Sequence, residues 1–518
     1  MKKLPIGITT FAKIRDEQQN YLYVDKTDIA YKLITSAEYY FLSRPRRFGK
    51  SLFLDTLDNI FCANKDLFKG LYIYDKWDWS TKYPVIRIDF NVGDFATVKG
   101  IENRVFAILD NISKTLGVTC EVTEDIPRCF NDLIIATYKK HNQKVVILID
   151  EYDKPILDNI TNPEIATQAR HILRVFYGVI KSCDQYLKFV LMTGVSKFSK
   201  LNLFSGLNNI QDITINPQYA TICGYTHNDI KTTFIEHLQG VDLEKLKIWY
   251  NGYNYFGDPV YNPYDILLFV ANGCLYKNYW WETGNPKFLV DLLKQNTYNI
   301  PQLENIITTE EILNTFDVEK IDLVALLWQT GYLTFDKYII KNDFIKYKMR
   351  IPNKEIQHAL NSLFIDYLTN NVNKRLQYQD ALIDSLENDD LSHLQSSLNS
   401  LFASISYENY KKNNIANYEG YYASVVFTYF ASLGFELIQE DNTNTGRIDL
   451  TLKLINKIVI IEFKVDIKEA ALTQIKQKKY YQKYLNDSRD IFIVGICFDS
   501  KAKNITEFVW EQINNDNQ

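Results

Sequence analysis

The stretch FLSRPRRFGKS, residues 41–51, decides the fold of the first part of the chain. Apolar residues precede and follow it, so the pattern predicts a strand, a tight loop and a helix. Loop amides and a helix N-terminus attract phosphate groups, which makes this arrangement suitable for a nucleoside triphosphate. In the corresponding motif, Gly49 precedes Lys50, which reaches the β- and γ-phosphates, and Ser51, which binds Mg²⁺.

This motif lacks its first glycine. In G-x-x-x-x-G-K-[ST] that glycine would fall at position 44, where the chain has Arg44 followed by Pro45. The loop entrance therefore loses the conformational freedom of glycine, and only the second half of the motif matches. A bare G-K-S is equally compatible with an ordinary surface turn.

Residues 144–151, KVVILIDE, supply a second motif. Five consecutive apolar, largely β-branched residues predict a strand that is buried on both faces of a parallel sheet. Asp150 at its end would hold the Mg²⁺ shell, and Glu151 would polarise the attacking water as general base. The alternative is an acidic cap on a following helix. Together with the upstream G-K-S, the pattern favours a nucleotide site.

A third buried strand is predicted at residues 187–196, where Thr193 or Ser196 could sense the γ-phosphate or merely cap the strand end. Strands and helices alternate from residue 36 to about residue 225, which predicts a mostly parallel sheet with helices on both faces. Arg170 and Arg174 share a helix face and are candidates for an arginine finger. A finger from a neighbouring subunit is an equal alternative.

Composition restricts the class of protein. The 518 residues suggest about three to four domains, and the net charge of -5 (58 Lys+Arg, 63 Asp+Glu) gives no global basic field for nucleic acid. Seven scattered Cys and six His form no ligand pattern, so we expect no zinc site and no disulfide scaffold. We also expect no signal peptide and no membrane span, and hence a cytoplasmic protein.

The middle of the chain is helical and aromatic. The rings of WYNGYNY, residues 249–255, could stack on bases, but the core of a helical lid is the favoured interpretation. A helix at residues 323–328 and a strand pair at residues 332–351 then suit a winged-helix-like module, followed by a helical connector. Four lysines would lie along this hairpin, where a solvated face is the ordinary interpretation: Lys337, Lys341, Lys346 and Lys348.

A second hairpin is predicted from RIDLTLK and IVIIEFKV around residues 447–465. With a two-residue turn at positions 456 and 457, Asp449 would lie opposite Lys464, with Glu462 diagonally adjacent on the same face. Two carboxylates make an oxygen site for Mg²⁺, and the lysine can help activate water. A salt-bridged strand pair is the alternative, although charges beside a buried apolar run are costly. A three-residue loop would turn Asp449 away.

Flanking segments support this second site. Glu419 opens a helix that would pack beside the hairpin. A further helix predicted at residues 467–485 carries Gln474, Lys478 and Tyr481 on one face, with three more lysines nearby. This local basic patch could clamp a phosphate backbone.

Five ordered motifs now carry a resemblance: RPRRFGKSL, VVILIDEYDKPI, WYNGY, GYLTF and GRIDL…IIEFK…QIKQKKY. Over nearly its whole length the chain resembles bacterial AAA-ATPase-like proteins with a C-terminal PD-(D/E)XK nuclease-superfamily domain. That family shares the form R-P-R-R-F-G-K-S, so Arg44 is compatible with membership. The resemblance implies a P-loop ATPase module and a nuclease-like site on the residues named above, with three accessory positions: Glu419, Gln474 and Tyr480.

The resulting expectation is an α/β chain in four parts. These are a P-loop domain (1–225), a helical lid (226–320), a winged-helix-like and helical connector (321–402), and an α/β restriction-endonuclease-like domain (403–518). It would use ATP and Mg²⁺ and couple nucleotide state to cleavage of DNA or RNA. We expect no membrane partner, and self-association is an open alternative. The alternatives are a nucleotide-gated switch or binding protein without fast catalysis, and a scaffold that binds nucleotide for stability.

Overall fold

The computed structural model of the protein describes residues 1–119, 125–197, 209–280, 306–313, 316–317, 320–369, 372–387, 391–404 and 419–513. Its contacts divide the chain into two compact units. The first holds the described residues up to 355, and the second holds those from 356 onward. Most of the predicted helical connector therefore belongs to the C-terminal unit. The finer four-part division remains a prediction.

The first unit is built around a five-stranded sheet in which every pair of neighbours is parallel. The strand order is β2-β3-β4-β1-β5, so β4 lies between the strand that precedes the G-K-S loop and the strand that ends in Asp150. Burial of β1 and β3 along their full length explains their apolar runs. The predicted parallel sheet is confirmed. Its strands are β1 (Tyr39–Ser43), β2 (Val85–Asp89), β3 (Val145–Asp150), β4 (Leu187–Gly194) and β5 (Gln211–Asp212).

Helices surround this sheet, and the longer ones begin at residues suited to capping. Thr97 and Asp125 each accept a backbone N–H at a helix start, which satisfies a donor that the helix itself leaves unpaired. The helices are α1 (Phe11–Arg15), α2 (Thr27–Ser36), α3 (Lys50–Phe61), α4 (Val98–Leu116), α5 (Ile126–His141), α6 (Lys154–Leu157) and α7 (Pro163–Ser182).

A small helical module follows the sheet. Its aromatic rings, Tyr250, Tyr261, Phe269 and Tyr279 among them, are buried in one cluster and form a core, while the helical lid remains a prediction. The elements of this module are β6 (Tyr225–Thr226), α8 (His227–Thr233), α9 (Leu243–Tyr250), β7 (Val260–Tyr261) and α10 (Pro263–Ala271).

The predicted order of helix and hairpin comes next and is also confirmed. The hairpin turns at Asn342 and Asp343, which both have positive φ (50° and 63°), as a two-residue hairpin turn requires. Its second strand also pairs with a short upstream strand. The elements are β8 (Ile307–Thr308), α11 (Glu310–Leu313), β9 (Phe316–Asp317), β10 (Lys320–Ile321), α12 (Leu323–Gln329), β11 (Thr334–Lys341) and β12 (Phe344–Arg350).

The second unit has a sheet of order β13-β14-β15-β16-β17, in which only β15 and β16 are parallel. Its strands are β13 (Glu436–Asn442), β14 (Arg447–Lys453), β15 (Lys457–Val465), β16 (Asp490–Asp499) and β17 (Asn504–Ile513). Its helices are α13 (Lys354–Thr369, starting at the boundary), α14 (Val372–Glu387), α15 (Ser392–Ser404), α16 (Glu419–Ser432) and α17 (Ala470–Lys478).

Strand β15 is buried on both faces. Val459, Ile461 and Phe463 point into a cluster with residues of α16, whereas Ile458 and Ile460 pack with Ile475 of α17. Because side chains alternate along a strand, Glu462 and Lys464 belong to the α17 side. This alternation fixes the face on which the second candidate site is built.

Two expectations from composition can be compared with the described residues. None of the described helices is long and apolar enough to cross a membrane. Free thiols occur at Cys62, Cys183, Cys223, Cys274 and Cys497, whereas Cys129 is disulfide-bonded.

Candidate active sites

The loop at residues 44–49 joins the end of β1 to the first residue of α3, which is Lys50. Gly49 has φ of 95° at the helix start, a left-handed conformation that L side chains rarely adopt. Nothing lies within 4 Å of the position that a Cβ would take there. Backbone conformation rather than space therefore requires the glycine before Lys50.

Arg44, which replaces the first motif glycine, is a buried structural cation. Its guanidinium donates to the carbonyls of Ser43 (2.9 Å), Thr214 (2.6 Å) and Tyr219 (3.3 Å). It also stacks 3.6 Å from the ring centroid of Tyr255. Burial lowers the pKa of Arg44. The loop entrance is thus held rigid by hydrogen bonds and stacking, where a glycine would have been flexible.

The remainder of the loop is held by the aromatic motifs of the helical module. Phe48 packs edge-on against Tyr253 with ring centroids 4.8 Å apart. The Arg47 guanidinium lies 4.5 Å from the ring centroid of Tyr264. The sequence identified these tyrosines only as lid core, because nothing in their spacing indicates that they contact a loop some two hundred residues upstream.

Asp150 ends β3 with a fully buried carboxylate. Its Oδ1 accepts hydrogen bonds from the Thr193 hydroxyl (2.8 Å) and from the Glu151 N–H (3.1 Å). Its Oδ2 is buried and has no hydrogen-bond partner among the described residues. A buried carboxylate oxygen without a partner is costly, and a cation is the ligand that would compensate it.

The two motifs meet at Lys50 and Glu151. The Lys50 Nζ donates to the carbonyls of Arg44 (3.0 Å) and Pro45 (3.3 Å), and it lies 3.5 Å from the Glu151 Oε1. Glu151 has a positive φ of 52°. Ser51 follows in the first turn of α3 and is half-buried. The four residues predicted for the nucleotide site thus lie at the carboxyl ends of β1 and β3.

Asp153 is a buried acid that the sequence analysis did not single out, although it stands in the same run, IDEYD. It accepts hydrogen bonds from the backbone N–H of Val195 (3.1 Å) and of Ser196 (2.6 Å), and from the Ser196 hydroxyl. Burial, followed by the negative charge of Glu151, raises the pKa of Asp153 to about 6. Both hydroxyls predicted as possible sensors, Thr193 and Ser196, therefore donate to buried carboxylates.

The two arginines proposed as fingers lie on α7. Arg174 is exposed, and its Nη2 lies 3.1 Å from the Nδ1 of His171. The assignment of a finger remains a prediction.

The second site depends on the register between β14 and β15. Lys453 pairs with Ile458, and the Leu454 N–H donates to the Lys457 carbonyl (2.9 Å), so the turn between the strands consists of residues 455 and 456. The turn has two residues as predicted, but it lies one position earlier than 456–457, with Ile455 almost fully exposed at its tip. The resulting register shift of two residues preserves the faces.

The ladder ends at Leu450 and Ile461, so Asp449 is not paired with Lys464 as predicted. The Asp449 Oδ2 accepts the Phe463 N–H at 2.9 Å. Glu462 is 1% exposed, and its Oε1 lies 3.6 Å from the Lys464 Nζ. The three residues predicted for this site are therefore gathered around one strand segment.

Two accessory positions join them from α17 and the turn that follows. The Gln474 amide donates to the Glu462 Oε1, and its Nε2 lies 3.5 Å from the Tyr480 hydroxyl. Tyr480 is buried, and a Cβ at Gly446 would come within 2.8 Å of its hydroxyl. Glu419 begins α16 as predicted, but its side chain lies outside the described part of the structure.

The helix predicted at residues 467–485 is shorter in the structure. It ends at Lys478, Lys479 has a positive φ of 52°, and a 3-10 turn covers Tyr480–Tyr484. This break directs Tyr480 towards Gln474, whereas an unbroken helix would have put Tyr481 on that face.

Comparison with known proteins identifies two family matches. The family model described as predicted AAA-ATPase matches residues 5–204, and the model of the PD-(D/E)XK nuclease superfamily matches residues 417–508. The uncharacterized protein in the vnfD 5'region of Azotobacter chroococcum mcd 1 is 44% identical over 516 residues, which cover 99% of each chain. The chain belongs to this family of AAA-ATPase-like proteins with a nuclease-superfamily domain.

In this AAA-ATPase-like chain, the basic patch beside the second site is partly neutralised. Lys476 pairs with Glu511 (2.5 Å), and Lys483 pairs with the carboxylate of Asp441. Lys478 and Lys479 are exposed and have no ion pair within the described ranges. The positive charge left for a ligand at this edge is smaller than the sequence suggests.

Metal ligands in the nuclease-superfamily domain would be few. Over the residues that the structure describes, no group of three or more His, Cys, Asp and Glu side chains is placed to hold a metal ion. Mg²⁺ usually takes one or two carboxylates and completes its shell with water and phosphate oxygens. Asp449 and Glu462 supply two carboxylates, which fits that requirement, and Asp449 contacts the N–H of the residue after Glu462.

Proposed function

We propose that this protein binds and hydrolyses ATP with Mg²⁺ and couples its nucleotide state to Mg²⁺-dependent cleavage of nucleic acid. One observation carries the proposal: in both units a lysine lies beside carboxylates at a strand end. Lys50 lies beside Glu151, which follows Asp150, and Lys464 lies beside Glu462, whose neighbour Phe463 donates its N–H to Asp449. Domains of these two families typically use a nucleotide and a divalent metal.

In the ATPase unit, each residue has one proposed task. Lys50 leaves Glu151 to bind the β- and γ-phosphates, and Ser51 and Asp150 hold Mg²⁺, which neutralises phosphate charge. Glu151 then accepts a proton from the attacking water. Thr193 positions Asp150 by donating to Oδ1, which leaves Oδ2 for the cation. Gly49 supplies the helix start whose N–H groups face the phosphates.

In the nuclease unit, Asp449 and Glu462 hold Mg²⁺, which stabilises the charge that develops on the phosphodiester. Lys464 orients the attacking water, and Gln474 holds Glu462 in place through its amide. Tyr480 in turn supports Gln474. We assign Glu419 an accessory role by family resemblance alone.

The remaining parts of the proposal concern partners and location. The substrate would be DNA or RNA, the protein would act in the cytoplasm, and self-association would provide an arginine finger if neither Arg170 nor Arg174 serves. A nucleotide-gated switch that binds nucleic acid or a partner without fast cleavage is the second candidate.

The deciding experiment incubates labelled single- and double-stranded DNA and RNA with Mg²⁺ or Mn²⁺, with and without ATP. Wild type is compared with Asp449→Ala and Lys50→Ala. Cleavage that disappears in Asp449→Ala supports the nuclease, and the Lys50→Ala result tells whether ATP gates it. ATP hydrolysis without any cleavage would favour the switch.

A further inference from the structure

The hairpin of β11 and β12 is anchored at its base and exposed at its tip. Phe335 and Tyr347 are buried at the base, where they pack against Phe256, and Phe335 also contacts Trp328. Beyond them the strands continue to the tight turn at residues 342–343. A rigid base and a short turn hold the tip in a fixed geometry.

One face of this hairpin gathers its lysines. Residues directly opposite each other in an antiparallel ladder share a face, and the ladder pairs Lys337 with Lys348, Ile339 with Lys346, and Lys341 with Phe344. A strand advances about 3.4 Å per residue, so Lys346 and Lys348 lie about 7 Å apart along β12, and Lys337 and Lys341 lie about 14 Å apart along β11. We call this set the lysine face: Lys337, Lys341, Lys346 and Lys348, with Phe344 at its tip.

This lysine face carries uncompensated positive charge. Lys348 lies 3.6 Å from Asp336, but Lys337, Lys341 and Lys346 are exposed and have no ion pair with any described residue. Like charges directly opposite each other, as Lys337 and Lys348 are, destabilise a hairpin. The chain as a whole has a net charge of -5, so the patch is local. A polyanion would relieve this repulsion.

Phe344 adds a second property to the lysine face. Its ring is 72% exposed at the turn, on the same side as the lysines. Exposed aromatic rings beside positive charge bind single strands, because unpaired bases stack on them while the cations contact phosphates. The ring of Phe344 would find no such partner on the outside of an intact duplex.

We propose that the lysine face of this hairpin binds single-stranded nucleic acid, with lysines on phosphates and Phe344 on an unpaired base. The site lies in the ATPase unit and requires neither catalytic centre, so it goes beyond the proposed cleavage. The other face of the tip carries Tyr338, Ile340 and Ile345, all more than half exposed. An anionic membrane surface is therefore the competing ligand to be tested.

The test measures binding of fluorescein-labelled oligo(dT) in EDTA, where no metal-dependent cleavage can occur, over a series of salt concentrations. The triple variant Lys337→Glu, Lys341→Glu, Lys346→Glu should bind about tenfold or more weakly, and its salt slope should fall by about 0.7 for each lost phosphate contact. Phe344→Ala should weaken oligo(dT) binding severalfold without changing that slope. Neither variant should alter the thermal unfolding midpoint by much, since all four side chains are exposed.

A matched control makes the same change in charge elsewhere in the unit. Lys139, Lys144 and Lys181 are exposed and have no described ion pair, and their triple change to Glu should leave binding near the wild-type level. Equal losses in the two triple variants would overturn the proposal, because net charge alone would then explain them. Unchanged oligo(dT) affinity in both the hairpin triple variant and Phe344→Ala would also overturn it. The same holds if the lysines are needed for binding to phosphatidylserine vesicles and the protein does not bind oligo(dT). Because cleavage is not measured, these results do not depend on the proposed nuclease.

Discussion

The Lys50 Nζ lies 3.5 Å from the Glu151 Oε1, so the lysine and the acid proposed for ATP chemistry are paired with each other. Lys50 is almost fully buried, and its other contacts are two loop carbonyls. A phosphate that takes the lysine would therefore also release Glu151. Phosphate binding and freeing of the general base are linked in this geometry.

Glu151→Gln should abolish ATP turnover while preserving ATP binding. A general base contributes about 10²- to 10⁴-fold to rate, so hydrolysis should fall by at least about 100-fold. Binding should be equal or tighter, because Lys50 no longer has to leave a charged partner. Steady-state phosphate release and fluorescent-nucleotide titration measure the two effects, with Glu164→Gln on α7 as a control. A parallel loss of binding and turnover would contradict the linkage.

Arg44→Gly, which restores the usual motif glycine, should destabilise the protein. The substitution removes the donor to the carbonyls of Thr214 and Tyr219 and the ring contact with Tyr255. Loss of a buried, hydrogen-bonded side chain typically costs about 2–4 kcal/mol. Urea unfolding measures the change, and Arg46→Gly at the exposed neighbouring position is the control. A variant as stable as wild type would show that Arg44 has no structural role.

Features that depend on local hydrophobic patterns could be predicted from the sequence, whereas contacts between residues far apart in the chain could not. Apolar runs such as that of β3 report burial directly, so the parallel sheet and both hairpins could be predicted from local sequence. The Arg44 contact with Thr214 joins residues 170 positions apart, and no local pattern encodes it. The predicted β14–β15 register was wrong by two residues, because the turn lies at Ile455 and Asn456, with Leu454 still bonded across it to Lys457. Because the register moved by an even number of residues, the side chains predicted for the site stay on the same face of the sheet.

Asp265 and Glu355 should make stability fall as pH rises through about 7. Both carboxyl groups are buried and act on each other; burial raises the pKa of Asp265 to about 7 and raises the pKa of Glu355 well above its ordinary value. An unfolded Asp titrates near about 3.9, so the folded state binds more protons between these two values. The stabilisation is complete below the unfolded pKa and is lost as pH passes the folded pKa, by up to about 1.4 kcal/mol per pH unit for each group.

The unfolding midpoint, measured from about pH 4 to about pH 8, checks this pH dependence. Asp265→Asn should flatten the curve, since an amide does not titrate. Asp258→Asn, in the same module, should leave the slope unchanged. A slope that persists in Asp265→Asn would assign the effect to another group, with Asp153 the first to examine, because its pKa is also raised.

Gln474→Ala should lower the affinity of the nuclease site for Mg²⁺ more than it lowers the affinity for nucleic acid. The Gln474 amide donates to the Glu462 Oε1 and so fixes the orientation of a proposed Mg²⁺ ligand. Loss of such a supporting hydrogen bond typically lowers metal affinity by about 10- to 100-fold. A Mg²⁺ titration of cleavage should move to higher concentration by that factor, with the maximal rate largely recovered at saturation. The affinity for Mn²⁺, measured by electron paramagnetic resonance, should fall in parallel.

Gln477→Ala, at an exposed position of the same helix, is the matched control. A lower maximal rate at unchanged metal affinity would instead mean that Gln474 touches the reacting groups.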